Sequence, residues 1–233
     1  MTSQSPSYHG YRFPPEIISH AVWLYHRFCL SFRDAEDLLA QRGVTVTYET
    51  IRHWCRIFGP AYARTLRRRR GQMGETWYLD ELFVNSQGRQ QYLWRAVDED
   101  GDVIDILVQS RRERRAATRF FRKLLKRQGS VPRRLITDRL RSYTAARRTV
   151  MPSVVHVTDQ YANNRAEVSH QPTRQRVRQM RRFKSAAQMQ RFASVHGLVQ
   201  NLFRVGRHLL RSAHHRLLRR EAFRVWDAVT CAC

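Results

Sequence analysis

Two adjacent carboxylates lie inside an apolar run, Trp77-Tyr78-Leu79-Asp80-Glu81-Leu82-Phe83-Val84. Aromatic and branched residues at this density predict a β-strand that is buried or nearly so. Because a buried, unpaired charge is strongly unfavourable, Asp80 must be neutralised, paired with a cation or bound to a metal ion. Glu81 is expected on the opposite face of the strand, since side chains alternate, and it is given no catalytic role.

The residues that follow predict a mixed sheet with one crossover helix. Asp98 to Asp102 is typical of a hairpin turn, and residues 113–127 form an amphipathic helical pattern with a basic outer face. Three antiparallel strands, a crossover helix and a returning strand are the first half of a ribonuclease-H-like fold. A right-handed crossover brings the fourth strand beside the first, so Asp138 at its end is expected to face Asp80. The further strands are predicted at 92–98, 103–109 and 133–137.

Residues 13–59 predict three short helices. Ser31 and Asp34 are spaced as a capping box at the start of the second helix. Gly43 suits a left-handed position at its end, and Thr47 can cap the third helix. A helix, a glycine-containing turn and a second helix are the layout of a helix-turn-helix DNA-binding domain, although a helical bundle without a ligand fits the same pattern.

The chain carries 43 Lys and Arg against 19 Asp and Glu, a formal net charge of +24. Such an excess repels itself unless the partner is a polyanion, and the arginine fork matches phosphate geometry. Nucleic acid is therefore the expected partner, with an anionic membrane surface as the weaker alternative. No apolar run is long enough to span a bilayer, and Met1–Gly10 lacks the apolar core of a signal peptide, so the chain is expected in the cytoplasm.

The cysteines do not form the framework of a disulfide-rich fold. Histidines lie near two of them, but the spacing matches no common zinc site. Buried thiols are therefore the preferred interpretation. The cysteines are Cys29, Cys55, Cys231 and Cys233.

The later part of the chain offers a third acid and an ordered basic face. Glu167 follows Asn164 by three residues, and from the residues alone a capping box is its preferred role, with a site carboxylate as the other. Pro172 leaves two possibilities open: it kinks a helix begun near Asn164, or it starts a helix and leaves Glu167 in a loop. Basic residues then recur at helical spacing, at Arg174, Arg178 and Arg182.

Several stretches, taken in order, resemble bacterial insertion-sequence transposases of the DDE type, in the IS-six group. They are Trp77-x-x-Asp80-Glu81, Tyr92-Leu-Trp-Arg-Ala-Val-Asp98, Ala116-Ala117-x-x-Phe120-Phe121, Thr137-Asp138, Asn163-Asn164-Arg165-x-Glu167, His170-Gln171-Pro172 and Phe183-Lys184-Ser185. The resemblance covers nearly the whole chain from Phe13 onward. It implies that Asp80, Asp138 and Glu167 are the catalytic carboxylates, and this replaces capping as the preferred role of Glu167. It also implies that Arg174 holds the basic position found after the third acid in such enzymes.

The activity implied by the resemblance is transposition, in which cleavage at the element's ends releases 3′-hydroxyls that attack target DNA. Hard carboxylate oxygens suit Mg²⁺, with Mn²⁺ as a substitute. The implied partners are double-stranded DNA, at the element ends and the target, and further copies of the chain, since bringing two ends together requires at least a homodimer.

Two departures from the family pattern stand out. Asp138 and Glu167 are separated by 28 residues, slightly fewer than in many members, and Asn85 stands where relatives tend to carry Lys. The second departure, together with the helix-turn-helix pattern, motivates an alternative, a catalytically impaired, transposase-derived DNA-binding regulator. A ribonuclease acting on RNA–DNA hybrids shares the fold but leaves the helix-turn-helix unexplained.

The predicted architecture is α/β, a ribonuclease-H-like mixed sheet flanked by helices and preceded by a small all-α helix-turn-helix domain. Its segments are a disordered tail at 1–12, the helix-turn-helix domain at 13–59, a basic linker at 60–74, the catalytic domain at 75–210 and a C-terminal helix at 211–233. The predicted DNA contacts are Arg52, His53, Arg67, Arg68, Arg69, Arg70, Arg174, Arg178, Arg182 and Lys184.

Overall fold

The computed structural model describes residues 6–71, 73–159, 161–180, 183–205 and 210–231. The chain divides into two compact units. We call the first, Met1–Arg70 with Ser194–Cys233, the helical unit, and the second, Gly71–Ala193, the sheet unit. None of the described helices is long and apolar enough to cross a bilayer.

Helices and strands alternate only in the middle of the chain. In order, the described elements are α1 (Pro15–Arg27), α2 (Phe32–Ala40), α3 (Tyr48–Arg69), β1 (Thr76–Ser86), β2 (Arg89–Val97), β3 (Val103–Gln109), α4 (Arg114–Gln128), β4 (Arg134–Thr137), α5 (Arg141–Val150), β5 (Val155–Val157), α6 (Asn164–Ser169), α7 (Gln171–Gln179), α8 (Ala186–Phe203) and α9 (Ser212–Thr230). All the described strands belong to the sheet unit.

The helical unit begins with three helices whose boundaries follow the sequence signals. The Ser31 hydroxyl accepts a hydrogen bond from the Asp34 backbone N–H, and the Asp34 carboxylate accepts one from the Ser31 N–H, so the predicted capping box begins α2. Gly43 has a φ of 76°, the left-handed conformation expected after α2. The Thr47 hydroxyl accepts from the Thr50 backbone N–H at the start of α3. The predicted all-helical N-terminal region is therefore confirmed.

The third helix is longer than predicted. α3 continues through Pro60 to Arg69, so the stretch predicted as a basic linker, 60–74, is helical over much of its length. Proline weakens a helix interior, but Tyr62 and Leu66 are buried one helical turn apart. Packing of this apolar face outweighs the local signal for a break.

Part of the predicted disordered tail packs on α3. Of this tail, residues 6–12 are described, and the Tyr8 ring stacks on Phe58 with ring centroids 4.8 Å apart. The Tyr8 hydroxyl lies 2.6 Å from the Tyr62 hydroxyl, and Tyr11 meets Phe58 edge-on. Aromatic contacts therefore hold this segment against α3. The composition of such a short, polar segment does not predict these contacts.

The sheet unit is built on five strands in the order β3-β2-β1-β4-β5. β1, β2 and β3 are antiparallel, whereas β4 and β5 run parallel to β1. The predicted ribonuclease-H-like mixed sheet is confirmed, including the return of the fourth strand beside the first. Neither α5 nor β5 was predicted from the sequence. The strand β5 has only three residues, too few to show a periodic pattern.

A two-residue turn, Gln87-Gly88, joins β1 to β2. Both residues have positive φ, 53° and 74°, as a type I′ hairpin turn requires. The Asn85 side-chain oxygen accepts a hydrogen bond of 2.9 Å from the Gly88 N–H. Asn85, noted above as a departure from the family pattern, therefore closes this turn.

The two faces of the sheet differ in what covers them. On the core face, Trp77 and Leu79 pack with residues of α4 and with Tyr143 of α5. The other face carries Asp80 and its register partner Arg95, and we call it the Asp80 face. There α6 packs on β1, and Arg95 donates a hydrogen bond of 2.9 Å to Thr173 of α7. The sheet thus separates the hydrophobic core from a polar face.

The sheet unit ends earlier than the predicted catalytic domain, 75–210. The boundary falls within α8, between Ala193 and Ser194. His196, in the second half of α8, lies 2.8 Å through Nδ1 from the His26 carbonyl oxygen of α1, so this half packs in the helical unit. α9 lies within the predicted C-terminal helix, while residues 206–209, predicted as the end of the preceding helix, lie outside the described residues.

Candidate active site

Asp80 lies in the middle of β1, the central strand of the sheet. Its neighbours Leu79 and Glu81 point to the core face and are buried, whereas the Asp80 side chain is 15% exposed. The apolar run therefore anchors β1 through the residues on either side of Asp80. This alternation keeps one carboxylate within reach of solvent in a strand whose core-face neighbours are buried.

Asp138 follows β4 directly and lies beside Asp80. In the parallel pairing of β1 with β4, Leu79 is the register partner of Thr137, so the next residue of each strand is an aspartate. Carboxylate oxygens of Asp80, Glu81 and Asp138 lie within 4.8 Å of one another. The adjacency expected from the crossover topology is present, and Glu81 joins the pair.

Burial raises the pKa of Asp80 to about 7, and the negative charges of Glu81, Asp138 and Glu167 contribute to the increase. Carboxylates that crowd one another compete for ionisation in this way, because each disfavours charge on the next. This cluster of carboxylates therefore carries more negative charge than the surrounding protein neutralises. A divalent cation bound at these oxygens would reverse the effect.

Glu81 is tied into the core by two partners. Its side chain is 1% exposed, and its carboxylate accepts a hydrogen bond of 2.6 Å from the Tyr143 hydroxyl. The Arg112 guanidinium forms an ion pair with Glu81 and a second one, at 3.1 Å, with Asp138. Burial raises the pKa of Glu81, while Tyr143 and Arg112 act in the opposite direction. Glu81 is therefore occupied on the core face, as its strand position predicts.

Arg112 and Tyr143 were not identified from the sequence as parts of the site. Arg112 bridges Glu81 and Asp138 from the loop before α4, and its guanidinium stacks 5.5 Å from the Phe83 ring centroid. The other Asp138 oxygen accepts a hydrogen bond of 3.0 Å from the Leu140 N–H. Together these contacts fix the orientation of the Asp138 carboxylate.

No individual role was predicted for His170 from the sequence, yet its side chain faces Asp80. Its side chain is fully buried, and its Nε2 lies 3.5 Å from Asp80 Oδ2. Burial, with the charges of Arg95 and Arg174, lowers the pKa of His170 well below its usual value. The lowered pKa favours the neutral imidazole, so His170 lies beside Asp80 without supplying a positive charge to it.

Glu167 lies on α6 and is exposed to solvent. It is outside the group of carboxylates within 4.8 Å, although its charge contributes to the raised pKa of Asp80. The helix is fixed beside Asp80 by Asn163, whose side-chain N–H donates a hydrogen bond of 2.8 Å to the Leu79 carbonyl. Glu167 is therefore close enough to raise the pKa of Asp80, but its carboxylate is not one of those that lie within 4.8 Å of one another.

The capping box once preferred for Glu167 is absent. α6 begins at Asn164 with Asn163 as the N-cap, and no side chain caps it. Pro172 lies in the first turn of a separate helix, α7, and does not kink α6. Each of the two possibilities is therefore right in part. Glu167 lies in a short helix that begins at Asn164, and Pro172 lies at the start of the next helix.

The predicted basic face of α7 borders an open groove. Arg174 and Arg178 are exposed and line a groove of about 540 Å³ together with glutamine side chains. Lys184 is also exposed, and its backbone N–H donates to the Gln188 side chain. Arg182 lies outside the described residues.

The predicted DNA contacts of the helical unit lie along α3. Arg52 and His53 are exposed near its start, and Arg52 forms an ion pair of 2.6 Å with Glu49. Arg68 is exposed in its last turn. Arg67 and Arg69 share that turn and Arg70 is the C-cap residue. These residues belong to one helix, where the sequence had indicated a helix and a linker.

The donor set of the site suits a hard divalent cation. Asp80 and Asp138 present carboxylate oxygens close together, and oxygen is the ligand that Mg²⁺ selects. Among the described residues, no lysine or arginine lies within ion-pair distance of the Asp80 carboxylate, and the pKa of the neighbouring His170 is lowered. The observed crowding of negative charge is therefore the feature that fits a metal ion.

The sequence matches a family of known proteins over this region. A family model described as a DDE domain, of the IS240 type, matches residues 74–206. The transposase for insertion sequence-like element IS431mec of Staphylococcus aureus is 30% identical over 164 residues, 68% of this chain and 73% of that protein. The transposase for insertion sequence element IS257 in transposon Tn4003, also of Staphylococcus aureus, matches with the same identity and coverage.

Similar solved structures include retroviral integrases. The simian T-cell lymphotropic virus intasome in complex with PP2A regulatory subunit B56 gamma has a TM-score of 0.40 and 13% identity, covering 76% of this chain and 66% of that chain. The HTLV-2 integrase catalytic core domain in complex with magnesium, in its trimeric form, has a TM-score of 0.39 and 10% identity, covering 62% of this chain and 94% of that chain.

Proposed function

Because the chain belongs to the insertion-sequence DDE transposases of the IS6 type, we propose that Asp80, Asp138 and Glu167 are its catalytic carboxylates. A DDE transposase is a polynucleotidyl transferase, an enzyme that cleaves and joins DNA strands. The observation that carries the assignment is the meeting of the Asp80 and Asp138 carboxylates at neighbouring strands. The raised pKa of Asp80 supports it, since perturbed carboxylates cluster at functional sites.

Asp80 and Asp138 are the proposed ligands of Mg²⁺, for which Mn²⁺ can substitute, with Glu167 as the third. When bound, the metal would stabilise charge on the phosphoryl oxygens and activate the attacking oxygen. Glu81 is not included, because Tyr143 and Arg112 already hold its carboxylate. The role of Glu81 is instead to fix β1 from the core side.

The proposed reaction takes place in two steps at the same carboxylates. A water oxygen attacks a phosphodiester at the element's end, and the bond to the 3′-oxygen breaks, which leaves a 3′-hydroxyl. That hydroxyl then attacks a phosphodiester of the target and releases the target's own 3′-oxygen. Each step exchanges one P–O bond for another, so no nucleophilic side chain of the protein is required.

Double-stranded DNA, at the element ends and the target, is the proposed partner. Arg174 and Arg178 on α7, on the Asp80 face, would bind backbone phosphates near the carboxylates, with Arg182 and Lys184 continuing the series in sequence. In the helical unit, the residues of α3 are proposed to bind the element's ends. Because two ends must be brought together, the proposed active form is a homodimer or a larger assembly. The proposed DNA contacts in the helical unit are Arg52, His53, Arg67, Arg68, Arg69 and Arg70.

The test is metal-dependent nicking of a labelled duplex that carries the ends of the element encoding the chain. Asp80→Asn keeps the shape of the side chain and removes its charge, so it is expected to abolish cleavage while end binding stays within a few fold. Asp159→Asn is the matched control, since Asp159 is an exposed aspartate of the same unit, and it should cleave as the parent does. Cleavage by the Asp80→Asn protein in Mg²⁺ would show the assignment to be wrong.

A second measurement separates metal binding from activity. Titration of the metal-free protein with Mg²⁺ alone is expected to raise its melting temperature, because a ligand that binds only the folded state stabilises it. The increase should be lost in Asp80→Asn and in Asp138→Asn and kept in Asp159→Asn. No observation favours the alternative of an impaired regulator, and Asn85, one of the two features that motivated it, closes the hairpin turn.

A further inference from the structure

A second basic groove lies on the side of the sheet opposite the Asp80 face. α4 packs on the core face, against Trp77 and Leu79, and α5 packs against α4. Between the outer sides of these two helices is a groove of about 500 Å³. It is lined by Arg114, Arg115, Thr118, Arg119, Arg122 and Thr149.

The basic residues of α4 fall into two groups. In the second half of the helix, Lys123 and Arg127 form ion pairs of 3.1 and 2.9 Å with the buried carboxylate of Asp105, so they serve the fold. In the groove, by contrast, neither Arg115 nor Arg122 has an ion-pair partner among the described residues. Two arginines of the groove are instead oriented by neutral side chains.

Hydrogen bonds to neutral side chains orient Arg114 and Arg119 without neutralising their charge. Arg119 donates a hydrogen bond of 3.1 Å to the Gln109 side chain, and Arg114 donates one of 3.2 Å to Thr149 of α5. A guanidinium held by an amide or a hydroxyl keeps its remaining N–H donors for a ligand. The groove is therefore ordered and positively charged.

The arrangement works against the stability of α4. Arg114 and Arg115 lie in its first turn, where the helix dipole disfavours positive charge. The N-cap residue Glu113 is acidic, but its side chain does not cap the helix and pairs with Arg111. Arg115 and Arg119 are also one helical turn apart, a spacing at which like charges repel. Charged residues that destabilise their own helix and form no stabilising ion pair are expected at functional surfaces.

The spacing of the arginines fits a run of phosphates. A helix rises about 1.5 Å per residue, so Arg115 and Arg122 are separated along α4 by about 10 Å. Successive phosphates of one DNA strand are about 3.4 Å apart along the duplex axis, and about three of them fit this length. The helix N-terminus adds backbone N–H donors, and the threonine hydroxyls add side-chain donors. The lining residues that the structure describes are arginines and threonines, side chains that bind backbone phosphates.

We propose that the groove between α4 and α5 is a second, sequence-independent binding surface for the backbone of duplex DNA. The proposal rests on the proposed function only in taking DNA as the partner. Because the α7 arginines lie on the Asp80 face, a duplex bound at the groove is a different stretch from the one at the carboxylates. The sheet unit thereby holds two stretches of DNA on opposite sides.

The test compares two triple variants in the Asp80→Asn background, where no cleavage disturbs binding. Arg115→Gln, Arg119→Gln and Arg122→Gln remove the groove charges together. Their matched control changes the same number of exposed arginines on α9 to glutamine. The control positions are Arg216, Arg219 and Arg220.

Binding of a long duplex of arbitrary sequence is measured as a function of salt. Each phosphate contact contributes about 0.9 to the slope of log affinity against log salt, so the groove variant should lose about 2 to 3 in slope and at least tenfold in affinity. The control should change the slope by less than about 1. Equal losses in both variants would overturn the proposal, because they would reflect net charge alone.

Two further outcomes are decisive. Arg122→Gln alone, at an exposed position that a folded helix tolerates, should still lower the slope by about 0.9. If the groove variant keeps its DNA binding but changes its sedimentation, the groove is a contact between copies of the chain and the proposal is wrong. Failure of the parent protein to cleave element ends in Mg²⁺ would overturn the proposed function, whereas the slope comparison would stand on its own.

Discussion

The Tyr143 hydroxyl donates a hydrogen bond of 2.6 Å to the Glu81 carboxylate, one residue along β1 from Asp80. Tyr143 is fully buried, and its burial, with the charge of Glu81, raises its pKa well above the usual value. The hydroxyl is therefore protonated at neutral pH and remains a donor to Glu81. Through this bond the hydrophobic core fixes the strand that carries the proposed catalytic aspartate.

Tyr143→Phe is expected to lower the free energy of unfolding by about 1–3 kcal/mol, the usual cost of leaving a buried acceptor without its donor. Urea unfolding measures the loss. Tyr161→Phe is the control, because Tyr161 is 73% exposed, and it should change stability by less than about 0.5 kcal/mol. A Tyr143→Phe protein as stable as the parent would contradict the importance of the bond.

Arg112 and Arg111 are neighbours that should behave differently. Arg112 pairs with Glu81, whose side chain is 1% exposed, so Arg112→Gln leaves a buried charge uncompensated and should destabilise the protein by about 3 kcal/mol. Arg111 pairs with Glu113 at 3.6 Å, and the two side chains are 76% and 45% exposed. Arg111→Gln should therefore cost less than about 1 kcal/mol. Equal effects of the two variants, again in urea, would show that burial of Glu81 does not govern the pair.

The order of the first four strands and the place of Asp138 could be predicted because both follow from local patterns. Alternating or apolar runs identify the strands, and the handedness of the crossover then sets β4 beside β1. The capping box of Ser31 and Asp34 is a signal of the same kind, since both partners lie within four residues. Predictions of this kind need only neighbours in sequence and one topological rule.

The network around Glu81 could not be predicted, because its members are distant in sequence. Tyr143 is 62 residues from Glu81, and no periodicity connects them. His170 likewise has no sequence signal for its burial against Asp80. The continuation of α3 through Pro60 has a related cause, since it depends on packing that outweighs propensity. The roles of the three proposed catalytic carboxylates remain predictions that the experiments above test.

The contribution of Asp80 to the stability of the metal-free protein should fall as the pH rises from 4 to 7. Burial raises the pKa of Asp80 to about 7 from its ordinary value of 3.8, so the folded state holds this proton after the unfolded state has lost it. The contribution is complete below the unfolded pKa and is lost as the pH rises through the folded pKa. The loss from Asp80 is at most about 4 kcal/mol.

Comparison with Asp80→Asn isolates this contribution, because His170 has the opposite dependence. The pKa of His170 is lowered in the folded state, so His170 adds stability as the pH rises. Urea unfolding in EDTA should show Asp80→Asn gaining stability relative to the parent between pH 4 and pH 7. A constant difference across this range would mean that the pKa of Asp80 is not raised. Mg²⁺ should restore stability to the parent at pH 7.5 and leave the variant unchanged.

The two exposed arginines of α7 are expected to bind DNA without supporting the fold. Arg174 and Arg178 are exposed in a groove that Gln175 and Gln179 also line. The double variant Arg174→Gln, Arg178→Gln should lower the slope of log affinity against log salt by about 2, and its melting temperature should stay near that of the parent. Gln175→Ala with Gln179→Ala alters the same groove without altering its charge, and it should leave the slope unchanged. Because the arginines would position the backbone and the carboxylates would carry the chemistry, cleavage by the double variant should recover at saturating DNA. A cleavage rate that stays low at saturation would instead assign these arginines to the chemical step.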